Sequence, residues 1–190
     1  DHWDTDNPHS HVLVRGRRRF AVALALDMVP VADGSDFMGS LRNPAGWNNV
    51  FGMRPSQGRV PNWPVDDVFV TQLPTCGPMA RTALDLARML DVQAGPDPRA
   101  PLALEHAGSF AAAVAGATEA ALRGLRIGWL ADLGGHLATE PGVLDTCAGA
   151  LRRFEDAGAV VEAVAPGFDP VRTWETWLVW RQWLVAGRIA

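Results

Sequence analysis

The sequence predicts an α/β fold, and three patterns carry that prediction. An apolar run at Leu125–Leu130, an amphipathic stretch from about Pro141 to Ala157 and a second apolar run at Val160–Val164 read as a β-α-β unit near 125–164. Such a unit implies a parallel strand pair with a right-handed crossover. Between residues 78 and 92 apolar side chains recur at helical spacing. Between 30 and 62 glycine, proline, asparagine and serine are dense, so short elements alternate with turns, and a stretch of that kind usually carries function.

Taken in order, residues 1–20 are polar and irregular and end in Arg15, Gly16, Arg17, Arg18 and Arg19. The AVALAL run at 21–26 is a short helix or a buried strand, which periodicity does not decide. Met79, Ala83, Leu86 and Leu90 fall on one face of a helix from Pro78 to Val92, opened by Gly77-Pro78 and closed by Gly95-Pro96. Residues 96–101 form a rigid connector, and the alanine-rich 107–121 is expected to be helical. Val143, Cys147, Leu151 and Phe154 line one face of the helix inside the β-α-β unit, and Gly158 ends it. The tail 171–190 reads as a helix with Trp174, Trp177, Trp180 and Trp183. Steps of three spread these rings over about half the helix circumference. Glu175, Arg181 and Gln182 interrupt any membrane face, so a core-packing helix is the better reading. Left uncovered, it would favour self-association or a homodimer.

Composition excludes several chemistries. All 17 basic side chains are arginine, and no lysine or tyrosine occurs in the 190 residues. A Schiff-base lysine, a P-loop lysine and a lysine general base are therefore absent from this chain. Arginine is no substitute, because its guanidinium stays protonated near neutral pH. The net charge of −4 argues against a nucleic-acid footprint over the whole chain. The arginines at 15 and 17–19 make either a local anion-binding patch or a solvated charge cluster; no aromatic interleaves with them, which favours the cluster. Cys76 and Cys147 lie too far apart in sequence for a disulfide framework or a zinc spacing, so no metal and a reducing, cytoplasmic setting are expected. No apolar run reaches the ~18 residues of a membrane span.

The chemistry-bearing stretch is PVADGSDFMGSLRNPAGWNNVFGMRPSQGRVPN at 30–62. Ser40 follows Gly39 and opens an expected helix with Pro44 near its first turn, a natural N-cap position. Backbone N–H groups there lack helical partners and can converge on an anion, including the oxyanion formed when a serine attacks a carbonyl. Asp36 and Arg42 are opposite charges that flank the loop. On spacing alone, a capping serine beside a surface ion pair is the better reading.

The run Ala32-x-Gly34-x-Asp36-x-x-Gly39-Ser40-Leu41-Arg42-x-Pro44-Ala45 resembles the second half of the amidase signature. The resemblance continues through WNNVFGMRPSQGRVP at 47–61, GPMART at 77–82 and DVQAGPDPR at 91–99, and covers roughly 21–190. It implies a partial amidase-signature fold: a mixed β-sheet core covered by helices, spanning 21–190, with 1–20 outside it. It also implies cleavage of carboxamide C–N bonds through a serine acyl-enzyme, with a small-molecule amide as substrate and no cofactor. The family's triad is a nucleophilic serine, a second serine joined by a cis peptide, and a lysine. By resemblance Ser40 is the nucleophile. The N–H groups of Phe37, Met38 and Gly39, with that of Ser40, form the oxyanion hole, and Asp36 and Arg42 support the loop. An amidotransferase A-type subunit is the alternative within the family, and a non-catalytic remnant or binding module the alternative outside catalysis.

Three positions depart from the family pattern. Met38 stands where glycine is usual. Counting back from AVALAL places Gly16 at the bridging serine, within an Arg-rich run where a glycine- and serine-rich loop is expected. A shift of reading frame in GC-rich DNA would produce such a run. The lysine is missing, and His2, His9, His11, His106 and His136 occupy no motif position.

Overall fold

A computed structural model describes residues 20–65, 67, 69, 72–105 and 108–189. The expectations for Gly16, the arginine run at 15–19, the histidines at 2, 9, 11 and 106, and residue 190 fall outside them. The chain divides into two compact units, Asp1–Gly116 and Ala117–Ala190.

In the first unit, residues 20–25 form helix α1. Ala21 and Leu24, three apart and so on one face, are fully buried. This settles AVALAL as helix. β1 (Val31–Asp36), α2 (Arg42–Trp47), β2 (Phe51–Gly52), β3 (Thr75–Ala80), α3 (Ala83–Gln93) and α4 (Phe110–Ala115) follow. The strands form an antiparallel sheet in the order β1-β3-β2, with Val31 opposite Ala80 and Asp36 opposite Thr75. Ala21, Leu24, Ala32, Leu41 and Met79 make its core, with Phe20, Val29 and Val50 packed against them. Arg81 ties α1 to this sheet: its Nη1 donates to the carbonyls of Leu24 at 2.9 Å and Val29 at 2.7 Å.

The helix expected from Pro78 starts five residues later, at Ala83. Residues 78–80 belong to β3 instead, where Met79 faces the core and the Pro78 carbonyl accepts from the Met53 N–H at 3.1 Å. The true helix start is Thr82, whose hydroxyl accepts from the Asp85 N–H at 3.0 Å and donates to the Asp85 carboxylate at 2.7 Å. A Gly-Pro pair was a plausible helix opener, but it serves here as a strand segment. The alanine-rich stretch is likewise shorter than expected. α4 stops at Gly116, and a short 3-10 turn follows at Glu119–Leu122.

In the second unit the elements of the β-α-β pattern appear in the expected order, with β4 (Arg126–Trp129), α5 (Val143–Asp156) and β5 (Val160–Ala163), but α5 buries no residue: Val143, Cys147 and Phe154 are exposed and Leu151 is half-buried. β4 and β5 are parallel, with Arg126 opposite Val160. α6 runs over Pro170–Ile189. Trp174 stacks on Trp177 at 5.0 Å between ring centroids, and Trp180 meets Trp183 edge to face at 6.1 Å. Trp174, Trp180 and Trp183 are exposed. Among the described residues, no helix is long and apolar enough to cross a membrane.

Candidate functional site

The sequence-selected residues gather where β1 leaves the sheet. Asp36 ends the strand, and its side chain turns inward and is fully buried. The loop 37–41 then reverses the chain into α2. Asp36 is the anchor of that reversal. Oδ1 accepts from the Gly39 N–H at 2.7 Å, and Oδ2 from the N–H groups of Leu41 at 3.2 Å and Arg42 at 3.4 Å. The Arg42 guanidinium completes a two-pronged pair, Nε to Oδ2 at 2.9 Å and Nη2 to Oδ1 at 3.0 Å.

Burial pushes the Asp36 pKa up, but the bonds from Arg42, Gly39 and Leu41 outweigh it and lower it from 3.8 to about 2. The bond to Asp36 raises the pKa of Arg42 in turn. Asp36 is thus ionised and saturated with donors at neutral pH. That suits an anchor and excludes a proton acceptor.

Two expectations change. Ser40 does not cap α2 with its side chain: the N-cap residue is Leu41, and no side chain caps it. The two N–H groups that a serine cap at 40 would serve are already taken, that of Arg42 by the Asp36 carboxylate and that of Asn43 by the Gly39 carbonyl at 2.7 Å. This leaves the half-buried Ser40 hydroxyl without a capping duty. Gly39, expected to line the oxyanion hole, directs its N–H to Asp36 instead. Its role here is conformational. With φ at +104°, any Cβ would also lie 2.7–2.9 Å from the Asn43 side chain. The Met38 and Ser40 N–H groups have no hydrogen-bond partner among the described residues. Met38 is exposed and Phe37 half-buried. His136 lies exposed in a turn of the second unit.

Sequence reasoning missed Arg54. Its Nη1 donates to the Asp36 backbone carbonyl at 2.6 Å and its Nη2 to the Leu73 carbonyl at 2.7 Å, while Nη1 also lies 3.5 Å from Asp36 Oδ1. Gly77 lets it come so close: a Cβ there would run into the Met53 carbonyl and the Pro55 ring, which bracket Arg54. Arg54 was visible only as one letter in a motif. No spacing rule reports a contact made 18 residues back along the chain.

A family model described as Amidase matches residues 20–185. The chain belongs to the amidase signature family. An acylamidase of Rhodococcus erythropolis is 37% identical over 147 residues, covering 77% of this chain and 30% of that protein. The A-type subunit of a glutamyl-tRNA(Gln) amidotransferase from Deinococcus radiodurans is 40% identical over 164 residues, 85% of this chain and 32% of the relative. Among solved structures, a bacterial aryl acylamidase of the amidase signature enzymes superposes with a TM-score of 0.73 at 33% identity, covering 83% of this chain and 32% of the other. A peptide amidase in complex with chymostatin superposes at 0.62 and 30% identity, over 77% of this chain and 29% of that one. The chain therefore spans about a third of the length of these amidases. The mixed α/β architecture agrees with that part of the amidase fold.

Proposed function

We propose that this chain carries the nucleophile of an amidase, with Ser40 attacking the carbonyl carbon of a carboxamide in a small-molecule substrate. The anchoring of the loop by Asp36 supports this reading most. A buried, ionised carboxylate draws in the N–H groups of Gly39, Leu41 and Arg42, while those of Met38 and Ser40 stay unpartnered within the described loop beside a half-buried serine hydroxyl. In the proposed reaction Ser40 Oγ bonds to the carbonyl carbon, and the carbonyl oxygen takes up negative charge. The N–H groups of Met38 and Ser40, with that of Phe37, donate to it. Collapse breaks the C–N bond, and ammonia or an amine leaves with the proton released by the serine. Water then cleaves the acyl ester and restores Ser40.

The proton needs a base. Arg42 and Arg54 cannot accept one, Asp36 is committed to its donors, and no lysine exists in the 190 residues. With a histidine as the remaining side chain that could take the proton near neutral pH, we read the chain on its own as an impaired hydrolase that acylates only on activated substrates. An activated ester should give a burst of product that Ser40→Ala abolishes; equal bursts from both proteins would refute the assignment. The Deinococcus radiodurans relative favours a second reading, an amidotransferase A-type subunit. That reading requires amide hydrolysis to rise when partner subunits are added, whereas a free-standing amidase is indifferent to them. A remnant or binding module would show no burst.

A reducing, cytoplasmic setting is the one that two cysteines so far apart in sequence, Cys76 and Cys147, fit best. The exposed rings of Trp174, Trp180 and Trp183 support self-association through α6. Sedimentation should show concentration-dependent association that Trp180→Gln with Trp183→Gln removes; unchanged association would place the contact elsewhere.

A further inference from the structure

We propose that Arg54 is a positioning residue for acyl transfer at Ser40, acting through the peptide group that joins Asp36 to Phe37. The inference rests on the Ser40 reading and adds to it the residue that sets an oxyanion donor. The bond from Arg54 Nη1 goes to the carbonyl of Asp36, at 2.6 Å. That carbonyl and the Phe37 N–H belong to one planar unit. The peptide is trans, the cis bond among the described residues being Trp63-Pro64. In a trans peptide the N–H points opposite to the C=O. Fixing the carbonyl on Arg54 therefore fixes the direction of the Phe37 N–H, away from Arg54. Drawing electron density toward that oxygen also makes the N–H a stronger donor.

The rest of the contact set shows why Arg54 can act as a fixed point. Its Nη2 holds the Leu73 carbonyl at 2.7 Å, so the guanidinium spans β1 and the segment leading into β3. The packing of 53–55 over Gly77 secures the other end. Arg42 differs in kind. It is more exposed and, among the described residues, its guanidinium binds the Asp36 carboxylate, so it closes the loop without touching the 36–37 peptide. Asp36 is thus gripped twice: Arg42 sets where the loop closes, and Arg54 sets how its first peptide is turned.

The test follows covalent labelling of Ser40 by a fluorophosphonate, whose phosphoryl oxygen needs the same donors as an amide oxyanion. Arg54→Met keeps the side-chain length and loses both donors. It should slow the limiting labelling rate by about tenfold to a hundredfold, the lower range for weakening one oxyanion donor, with the concentration for half-maximal rate unchanged. A merely structural role would instead lower the fraction of labelled protein at an unchanged rate. Arg54→Lys keeps a charge but cannot hold both carbonyls as the planar fork does, so it should label at an intermediate rate. Labelling of folded Arg54→Met at the wild-type rate overturns the role of Arg54 and leaves Ser40 standing. If Arg54→Met fails to fold, Arg54→Lys decides, and a wild-type rate there overturns the proposal. Labelling of the wild type that persists in Ser40→Ala, or no labelling at all, overturns both assignments.

Discussion

Replacing Asp36 by asparagine tests the loop anchor with almost no change of shape. The carboxylate is fully buried and accepts from Gly39, Leu41 and both prongs of Arg42 at 2.7–3.2 Å. Its pKa of about 2 against 3.8 means the folded loop prefers the ionised form by about 2 kcal/mol. Asparagine forfeits that preference. Its amide group must also face one donor pair, Gly39 N–H with Arg42 Nη2 or Leu41 N–H with Arg42 Nε, which adds about 1 kcal/mol or more. Arg42, with its side chain 55% exposed, can recover water, so the sum stays near the low end of a broken buried pair, about 3 kcal/mol. Urea denaturation followed by circular dichroism reads this directly. The pH dependence gives an independent check. Because the folded pKa is depressed, the stabilisation is fully present above the unfolded value of 3.8 and is lost as pH falls toward about 2. Wild type should lose more stability than Asp36→Asn across that window. A loss below about 1 kcal/mol at pH 7, or parallel acid curves, would refute the reasoning.

Two further substitutions probe the framework. Gly39→Ala meets both a left-handed backbone, φ +104°, and the Asn43 side chain, so it should destabilise by about 1–3 kcal/mol and slow Ser40 acylation; an unchanged melting temperature and rate would contradict this. Thr82→Ala removes the α3 cap and should cost about 1 kcal/mol in urea titrations without altering acylation, whereas a change in acylation rate would show that α3 couples to the loop.

The β-α-β unit was legible because two apolar runs flank a stretch of helical periodicity, although the face that periodicity marks, with Val143, Cys147 and Phe154, stays exposed. The span 78–82 was not, because Met79 suits a helix face and a sheet core equally, and the deciding bond, Met53 N–H to the Pro78 carbonyl, is long-range. The same limit applied at the site. Asp36, Arg42 and Ser40 stood out as polar residues in a glycine-rich turn, yet the division of labour among the N–H groups depended on where the carboxylate turned. Gly39 was therefore placed with the oxyanion donors, although it serves the anchor. Arg54 binds carbonyl groups, and a carbonyl carries no signal in the amino-acid letters.

Mass spectrometry of the protein quenched during a burst with an activated ester tests the central claim most directly. The account predicts one acyl group on the peptide that contains Ser40 and none on Ser40→Ala. Acylation at any other residue in the wild type, or the same acylation in Ser40→Ala, would contradict it.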